Sequence, residues 1–484
     1  MVEAAANGIT DKLVDSLSFK LSPGASYVTD RRSVTFHPQG SNIYESTNGV
    51  RLIRINLNGD SWLDPSTFRV AFDLANTSPD AGKLLRPLSG PYSMFRRLRV
   101  LCGGQVVEDI SDFARVSQMM QLMKSKHSRQ NEASEGFGNE WSDTDFNSVY
   151  IRPTSWTGAS GEVTADYKSI RQLNDTTFKG IGTGDSMRVL FKPLCGIFSQ
   201  PKFLPIRYCP IVLELELVSN ANDAILSSLT ANGLFVNNPP VSFTTANTTT
   251  SWQIRNVEAK CDLVTLDNAL DNSYAQHLLS GLSLPISYQT FVSQMQTIEN
   301  TQKPNVNISR ALTRLKSVFV TLVKDQEGTL APGRKEFNTF FSPMSVDNAP
   351  KPQLGATYSH IHEPDGEFKF QIQIGSKLYP EYPIQSHSEA FYQLKKTLGV
   401  QSSDVHSFDI TSRDYRDNKF ILAIDTEKML EAGYTGLNTR SGDLMSVRYE
   451  ALTNEATRLA QRMHIVLHAD CIMEIRDSGV QVFD

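Results

Sequence analysis

Two histidines four residues apart, His464 and His468, are the first candidates for chemistry in this sequence. On a helix this spacing would place both imidazoles on one face, where they could bind the same metal ion. They lie, however, among the alternating apolar residues Met463, Ile465 and Leu467, which is typical of a β-strand. Along a strand both side chains would point to the polar face, roughly 13 Å apart. We therefore expect no shared metal ion at this pair.

The other metal-type pairs in the sequence are also incomplete. His360 and His362 could share one face of a strand, but no cysteine lies nearby to complete a site, and we interpret them as surface or interface histidines. Two pairs of aspartates lack the further oxygen ligands of a calcium loop and are typical of solvated turns. These pairs are Asp143 with Asp145, and Asp414 with Asp417.

The number and spacing of the cysteines bear on zinc and disulfide chemistry. Zinc sites are usually built from closely paired cysteines, and the sequence has no CxxC pair. Five cysteines, an odd number, lie scattered and mostly within apolar strand patterns, which favours buried free thiols. They are Cys102, Cys195, Cys209, Cys261 and Cys471.

Motifs for catalysis and nucleotide binding are absent from the sequence. It contains no GxxxxGK, GxSxG or HExxH. Gly180, Gly182 and Gly184 form a GxGxG, but no strand precedes it and no helix follows, so we interpret it as a loop. No pair of carboxylates is placed for general acid–base work. We therefore predict no catalytic residues, no cofactor site and no metal site, and a structural or binding protein rather than an enzyme.

Composition narrows the class of protein further. The formal net charge of −5 argues against a dedicated nucleic-acid binder, because neutralising phosphates requires clustered lysine and arginine. No run of 18 apolar residues occurs, and residues 1–22 lack the pattern of a signal peptide. We expect a protein made in the cytoplasm or nucleus and not secreted. A chain of 484 residues suits two domains.

Strand-like alternation opens and closes the stretch 187–218. Apolar residues alternate with Arg188 and Lys192 at its start and with Glu214 and Glu216 at its end, as in half-buried strands. Prolines in between predict a fixed, irregular crossing loop, because proline cannot donate to a strand ladder. We interpret this stretch as the closing element of a first β-module. The prolines are Pro193, Pro201, Pro205 and Pro210.

Turn and helix signals punctuate the strands of this first module. The pair Gly103-Gly104 predicts a tight hairpin, because both glycines can adopt a positive φ. Apolar residues at spacings of three and four then predict one helix over 111–125, capped by Ser111 or Asp109. Short strands with such turns predict an all-β sandwich or barrel.

A second set of strands is predicted to begin near Trp252, with two helices of its own. One short helix is expected over 271–281. For the other, Ser386 and Glu389 form a capping box, and Gly399 is placed to end the helix in the left-handed conformation.

The two halves share a plan of strands, one well-marked helix, a long excursion and closing strands, without a residue-level repeat. This pattern predicts two β-modules in tandem, with excursions over 126–180 and 325–365. The predicted boundaries are an N-terminal arm over 1–32, a first module over 33–220, a linker over 221–250 and a second module over 251–484.

Several segments, taken in order, resemble one family: the double jelly-roll major capsid proteins of double-stranded DNA viruses, in particular those of Polinton-like viruses, adintoviruses and virophages. The segments are SVTF at 33–36 with Pro38 and Gly40, GGQVVEDISDFARVSQMM at 103–120, PLCGIFSQPKFLPI at 193–206, IGSKLYPEYPI at 374–384, and the later FILAIDTEK and GLNTRSGDL.

The resemblance implies an all-β chain of two tandem eight-stranded jelly rolls with a few short helices. It implies a homotrimer with a pseudo-hexameric outline that tiles an icosahedral shell beside neighbouring capsomers. Penton and minor capsid proteins are implied partners, and the N-terminal arm is expected to contact an internal membrane where one exists. The excursions are candidates for outer loops or for clasps between subunits. The expected location is the virion shell.

Two alternatives use the same fold. One is a minor capsid or scaffold protein, which the copy number per virion would distinguish. The other is a jelly-roll carbohydrate-binding protein, which would need a groove lined by aromatic side chains. The four tryptophans are dispersed, which disfavours such a groove; they are Trp62, Trp141, Trp156 and Trp252.

Overall fold

The structure is a computed structural model. It describes residues 27–46, 50–85, 87, 90–125, 128, 136, 181–225, 249–323, 340–343, 368–400, 408, 410, 415, 419–427, 436–440, 444–451 and 459–484. Almost all of both predicted excursions, and most of the predicted arm and linker, lie outside these residues. The pair His360 and His362 and both aspartate pairs also lie outside them.

Strands dominate the described part of the chain. In order they are β1 (Val28–Phe36), β2 (Ile43–Tyr44), β3 (Leu52–Leu57), β4 (Trp62–Asn76), β5 (Phe95–Cys102), β6 (Gln105–Ile110), β7 (Ser186–Phe191), β8 (Ile211–Leu217), β9 (Trp252–Leu266), β10 (Leu284–Thr297), β11 (Asn305–Ile308), β12 (Leu315–Val323), β13 (Phe368–Ile374), β14 (Lys377–Ile384), β15 (Ile421–Asp425), β16 (Met445–Ala451), β17 (Arg462–Arg476) and β18 (Gly479–Phe483).

These strands pair into four antiparallel sheets that form two sandwiches. The first sandwich consists of the sheets β1-β9-β4-β7 and β3-β8-β5-β6, and the second of β10-β17-β12-β15 and β11-β16-β13-β14. The short β2 adds to β9, and β18 adds to β17. With these two additions set aside, each sandwich has eight strands. Numbered 1 to 8 along the chain within each sandwich, they lie in the orders 1-8-3-6 in one sheet and 2-7-4-5 in the other. The shared plan predicted for the two modules therefore corresponds to the same strand topology in both sandwiches.

Alternating residues of the strands form the sandwich cores. In β3, Ile53, Ile55 and Leu57 are fully buried, while Leu52 and the intervening polar residues face outward. Between the two sheets of the first sandwich, Phe72 packs edge to face on Phe95, with 5.7 Å between ring centroids. Burial of this apolar surface, at roughly 25 cal/mol per Å², is the main stabilising contribution of each core.

The pairing of β9 corrects two predictions. It lies between β1 and β4, with Val34 opposite Cys261 and Trp62 opposite Val264. The strand at 252–266 therefore belongs to the first sandwich, and the prediction that it begins the second set is wrong. The stretch 187–218 is consequently not the closing element of the first sandwich. Alternation identifies a strand, but its partner is set by contacts across about two hundred residues.

The proline-rich crossing loop within 187–218 is confirmed. It connects β7, which pairs with β4, to β8, which lies between β3 and β5 in the facing sheet. The chain therefore crosses from one sheet of the first sandwich to the other. Leu204 lies in this loop and exchanges two main-chain hydrogen bonds of 2.8 Å with Leu63, so the crossing is tied to the start of β4.

Three α-helices accompany the strands in the described residues: α1 (Phe113–Leu122), α2 (Asn268–Leu279) and α3 (His387–Thr397). None of them is long and apolar enough to cross a membrane. Helix α1 follows the Gly103-Gly104 hairpin, where both glycines have positive φ as predicted. The predicted caps of α1 are wrong, because Asp112 stands at that position in the left-handed conformation and Asp109 instead binds Arg97.

The signals predicted for α3 are confirmed. The Ser386 hydroxyl accepts a hydrogen bond from the Glu389 amide at 3.1 Å. The Glu389 carboxylate accepts one from the Gln385 amide at 2.8 Å, which is one residue earlier than in a capping box. Gly399 has a φ of 70° and ends the helix.

Candidate functional site

The two sandwiches meet along a continuous contact, called the seam below. The first sandwich contributes the edge strand β6, helix α1 and the start of the proline-rich loop. The second contributes β10, β12 and β17. The residues that define the seam are Val107, Glu108, Ser111, Arg115 and Gly196 on the first side, and Tyr288, Gln289, Thr290, Ser293, Thr321 and His464 on the second.

Edge strands β6 and β10 are joined by side chains that bind main-chain carbonyls. The Tyr288 hydroxyl donates to the Val107 carbonyl at 2.9 Å, and the Ser293 hydroxyl donates to the Ser111 carbonyl at 2.5 Å. Both bonds use groups that an uncovered edge strand would present to solvent. The seam thereby protects the edge at β6, which would otherwise favour aggregation.

A buried carboxylate, Glu108 of β6, organises the first side of the seam. It accepts hydrogen bonds from the Cys195 thiol at 2.7 Å and from the amides of Gly196 and Ile197, both at 2.9 Å. Burial raises the pKa of Glu108, while these hydrogen bonds and one from Thr290 act in the opposite direction. The carboxylate thus holds the proline-rich loop against β6 and reaches the second sandwich through Thr290.

Gly196 is a point of close main-chain approach between the two sandwiches. A Cβ atom built on this residue would lie 1.6 Å from the carbonyl oxygen of Gln289 in β10. No side chain fits there, so only glycine allows the loop and the strand to touch main chain to main chain.

Arg115 of α1 crosses the seam and is only 1% exposed. Its guanidinium donates to the Thr321 hydroxyl at 3.0 Å and to the Leu322 carbonyl at 3.4 Å. The same group lies over the ring of Phe340, 4.7 Å from its centroid, which is favourable for a desolvated cation. A buried arginine bonded to the other sandwich fixes the angle at which α1 lies on β12.

His464 and His468 share one face of β17, as predicted, but His464 is buried and His468 is half-buried. His464 is 0% exposed beneath Arg115 and α1. His468 stacks on Phe291, and its ring nitrogens lie 3.1 Å from the Gln289 amide oxygen and 3.3 Å from the Ser317 hydroxyl. The prediction of a solvated face is wrong at His464, because Arg115 of the first sandwich acts on this fully buried ring. No group of metal ligands occurs among the described residues.

Three solved structures have this architecture over nearly the whole chain. No protein-family model and no curated protein matches the sequence. The Faustovirus major capsid protein matches with a TM-score of 0.51 at 10% identity, over 98% of this chain and 96% of that one. A chain from the virophage Sputnik matches with a TM-score of 0.53 at 11% identity, over 98% and 92%.

The third structure is VP54 of PBCV-1 fitted into a reconstruction of Sputnik. It has a TM-score of 0.52 at 12% identity, over 96% of this chain and 99% of that one. The chain is a double jelly roll. The first sandwich is called the first roll below and the second the second roll, and the fold predicted from the resemblance is confirmed.

Equivalent faces of the two rolls differ in their covering. In the second roll, the outer face of β17 is buried at His464, Val466 and Asp470 and half-buried at His468. Arg115 of α1 in the first roll acts on His464 from this side. The counterpart of β17 in the first roll, β9, is buried on one face only, and Arg255 and Lys260 are exposed on the other. Arg188 of β7, which lies beyond β4 in the same sheet, is exposed too and pairs with Glu258 at 2.5 Å. The first roll therefore keeps an open charged face, called the open face below.

A cleft of about 310 Å³ lies on the outer face of the sheet β3-β8-β5-β6. Its charged side chains pair across the strands, with Arg99 3.3 Å from Glu214 and the nearby Arg97 2.6 Å from Asp109. This arrangement stabilises the sheet surface. The cleft is lined by Arg51, Leu52, Arg97, Arg99, Glu214 and Glu216.

The remaining predicted residues lie apart from the seam or serve the cores. All five cysteines are buried and free, as predicted. Gly182 and Gly184 lie in the turn before β7, consistent with a loop, while Gly180 is outside the described residues. Trp62 and Trp252 are buried, so neither lines an open groove. Sequence reasoning missed Glu108, Arg115 and Gly196, because each acts through a contact with a segment far away in the sequence.

Proposed function

We propose that this chain is the major capsid protein of an icosahedral double-stranded DNA virus, and that its copies assemble as trimeric, pseudo-hexameric capsomers. Support comes from the repeated eight-strand topology and from the match to the Faustovirus major capsid protein over 98% of this chain. The Polinton-like, adintovirus or virophage type belongs to the same proposal, with the Sputnik match as its support.

The unequal covering of the two rolls is the observation that carries self-assembly. Within one chain, α1 follows the fifth strand of the first roll, and its Arg115 binds the sheet of β17 through Thr321 and Leu322 of β12. Helix α3 follows the fifth strand of the second roll and is its topological counterpart. A copy placed head to tail would bring its α3 onto the open face of the next copy. A head-to-tail contact of this kind forms a closed ring of copies when the rotation between neighbouring copies divides a full turn. A ring of three copies contains six rolls, which matches the pseudo-hexameric outline.

Exposed aromatic side chains on the second roll suit this contact. Tyr382 of β14 is 81% exposed and Tyr392 of α3 is 54% exposed. Tyrosine supplies large contact area together with a polar hydroxyl, which matches a charged partner face. We assign both tyrosines to the contact between copies.

Partners and location follow from this proposal. Capsomers would contact one another, penton proteins and minor capsid proteins in the virion shell. The N-terminal arm would face inward, toward an internal membrane where one is present. Synthesis would take place in the host cytoplasm or nucleus.

The first test is the mass of the purified protein by light scattering, combined with negative-stain imaging. We expect a trimer of roughly 160 kDa, three times the 53.9 kDa of one chain, with a pseudo-hexagonal outline. Changing Tyr382→Ala and Tyr392→Ala together should weaken association at least tenfold, since truncating interface aromatics costs about 2 kcal/mol or more.

The matched control is Leu279→Ala with Leu282→Ala, two exposed apolar residues at and after the end of α2. This pair should leave the trimer intact. A stable monomer under all assembly conditions would contradict the capsid proposal. A trimer that is insensitive to the tyrosines would contradict only the assignment of the contact.

A further inference from the structure

His464 is an unusual residue to find at the centre of the seam. It is 0% exposed, and among the described residues neither of its ring nitrogens has a hydrogen-bond partner. An imidazole in this position is stable in its neutral form, because charging it would place a cation in an apolar, water-excluding contact.

The surroundings of His464 contain a positive charge and no described carboxylate that acts on it. Its neighbours across the flanking strands are Met295 of β10 and Thr321 of β12, both uncharged. From α1, which packs over this face, the guanidinium of Arg115 acts on the imidazole. Burial first, and then this cation, lower the pKa of His464 well below 6.5.

His468 provides a comparison on the same strand. Both of its ring nitrogens have polar neighbours, the Gln289 amide and the Ser317 hydroxyl, all within the second roll. Protonation of His468 would disturb the second roll itself. Protonation of His464 would instead set two cations against each other across the contact with the first roll.

We propose that His464 makes the seam acid-labile, so that acidification releases α1 of the first roll from β12 and β17 of the second. The acid-sensitive element is the buried pair of His464 and Arg115. The closed seam is stable only while the imidazole of this pair is neutral. It belongs to the isolated chain and does not depend on the capsid role.

The sign of the pH dependence follows from linkage. A histidine whose pKa is lowered in the closed seam stabilises the closed state in full at pH values above its pKa in the open state, about 6.5. Below that value the open state binds the additional proton, so the ratio of closed to open falls by up to about tenfold per pH unit. Glu108 acts in the opposite sense, because its raised pKa favours the closed seam on acidification. It faces Cys195, Gly196, Ile197 and Thr290 rather than His464.

Cys195 provides a readout inside the seam. Its thiol donates to Glu108 and is buried next to Gly196, so its labelling reports opening of this side of the seam. Cys261 lies buried in β9 of the first roll and serves as an internal control in the same molecule. The full chain is labelled with dithiodipyridine, a disulfide reagent that reacts in acid, at about pH 7.5, 6.5 and 5.5. Peptide mass spectrometry then measures the rate at each cysteine.

We expect the Cys195 rate, relative to Cys261, to rise several-fold and at most about tenfold between pH 6.5 and 5.5. In His464→Gln this rise should be lost, while His277→Gln, a histidine on α2, should keep it. Should His464→Gln fail to fold, His464→Met matches the apolar surroundings and tests the same point. A flat ratio in the unmodified protein, or the same rise in the His464 variants, would overturn the proposal.

Discussion

Glu108 and Gly196 illustrate how single residues define the contact between the rolls. The carboxylate of Glu108 accepts a hydrogen bond from the amide of Gly196 at 2.9 Å. Gly196 in turn lies directly against the carbonyl of Gln289. A buried charged acceptor is stable only when its hydrogen bonds are complete. The two residues therefore act together: one holds the loop, and the other allows it to touch the second roll.

A methyl group at position 196 should open the seam. Gly196→Ala would place a Cβ atom 1.6 Å from the Gln289 carbonyl, so loop and strand must separate. We expect a loss of about 3 kcal/mol in the free energy of unfolding, at the upper end of overpacking costs, measured by denaturant unfolding.

The matched control for this change is Gly184→Ala. Gly184 has a φ of 82° with no atom within 4 Å of a built Cβ, so it tests backbone strain without a clash. That change should cost about 1 kcal/mol. Equal losses in the two variants would show that Gly196 is not a point of steric contact.

At the scale of elements, the proline-rich loop between β7 and β8 serves both rolls. Pro193 and Pro205 are buried in it, whereas Pro201 and Pro210 are exposed. The Pro205 carbonyl accepts the amides of Tyr208 and Cys209 at 3.0 and 2.9 Å, which forms the turn before β8. The loop is thus a rigid support that presents Gly196 to β10.

Changing Pro193→Ala together with Pro205→Ala should lower the yield of trimer more than the solubility of the monomer. Each proline limits the freedom of the unfolded loop, worth about 0.4–1 kcal/mol, and the contact with the second roll depends on that order. Size-exclusion chromatography of equal amounts of soluble protein measures the yield. Pro201→Ala with Pro210→Ala is the control. Equal loss of trimer and solubility in the first pair would mean that the loop serves only the local core.

At the scale of the whole molecule, the seam should make two rolls behave as one cooperative unit. Edge strands, the loop and α1 all cross it, and Arg115 places a buried guanidinium on the second roll. A bond from a charged donor to a buried acceptor is worth roughly 1.5–3 kcal/mol. Neither roll can therefore unfold without exposing buried polar groups of the other.

Scanning calorimetry at neutral pH should accordingly show one transition, with equal calorimetric and van't Hoff enthalpies. Arg115→Met keeps an unbranched apolar chain but leaves the Thr321 hydroxyl and the Leu322 carbonyl without this donor. It should split the transition in two or broaden it. Arg255→Met, on the open face, is the control and should leave one transition. Two separate transitions in the unmodified protein would show that the seam does not couple the rolls.

Local patterns were enough to predict many strands, the hairpin turn and the signals that begin and end α3, although not the cap of α1. Alternation, the Gly103-Gly104 turn and the Ser386 cap depend on residues within a few positions of one another, and each was confirmed. The all-β class and the double jelly roll were predicted from such patterns and from the resemblance that they carry.

Only the tertiary structure decided which strands pair and which polar residues are buried. The partner of β9 lies about two hundred residues away, and alternation carries no information about distant partners. His464 stands where alternation predicts solvent, yet it is fully buried at the contact with the other roll. Burial depends on what packs against a face, and that is a property of the assembled rolls rather than of any local stretch of sequence.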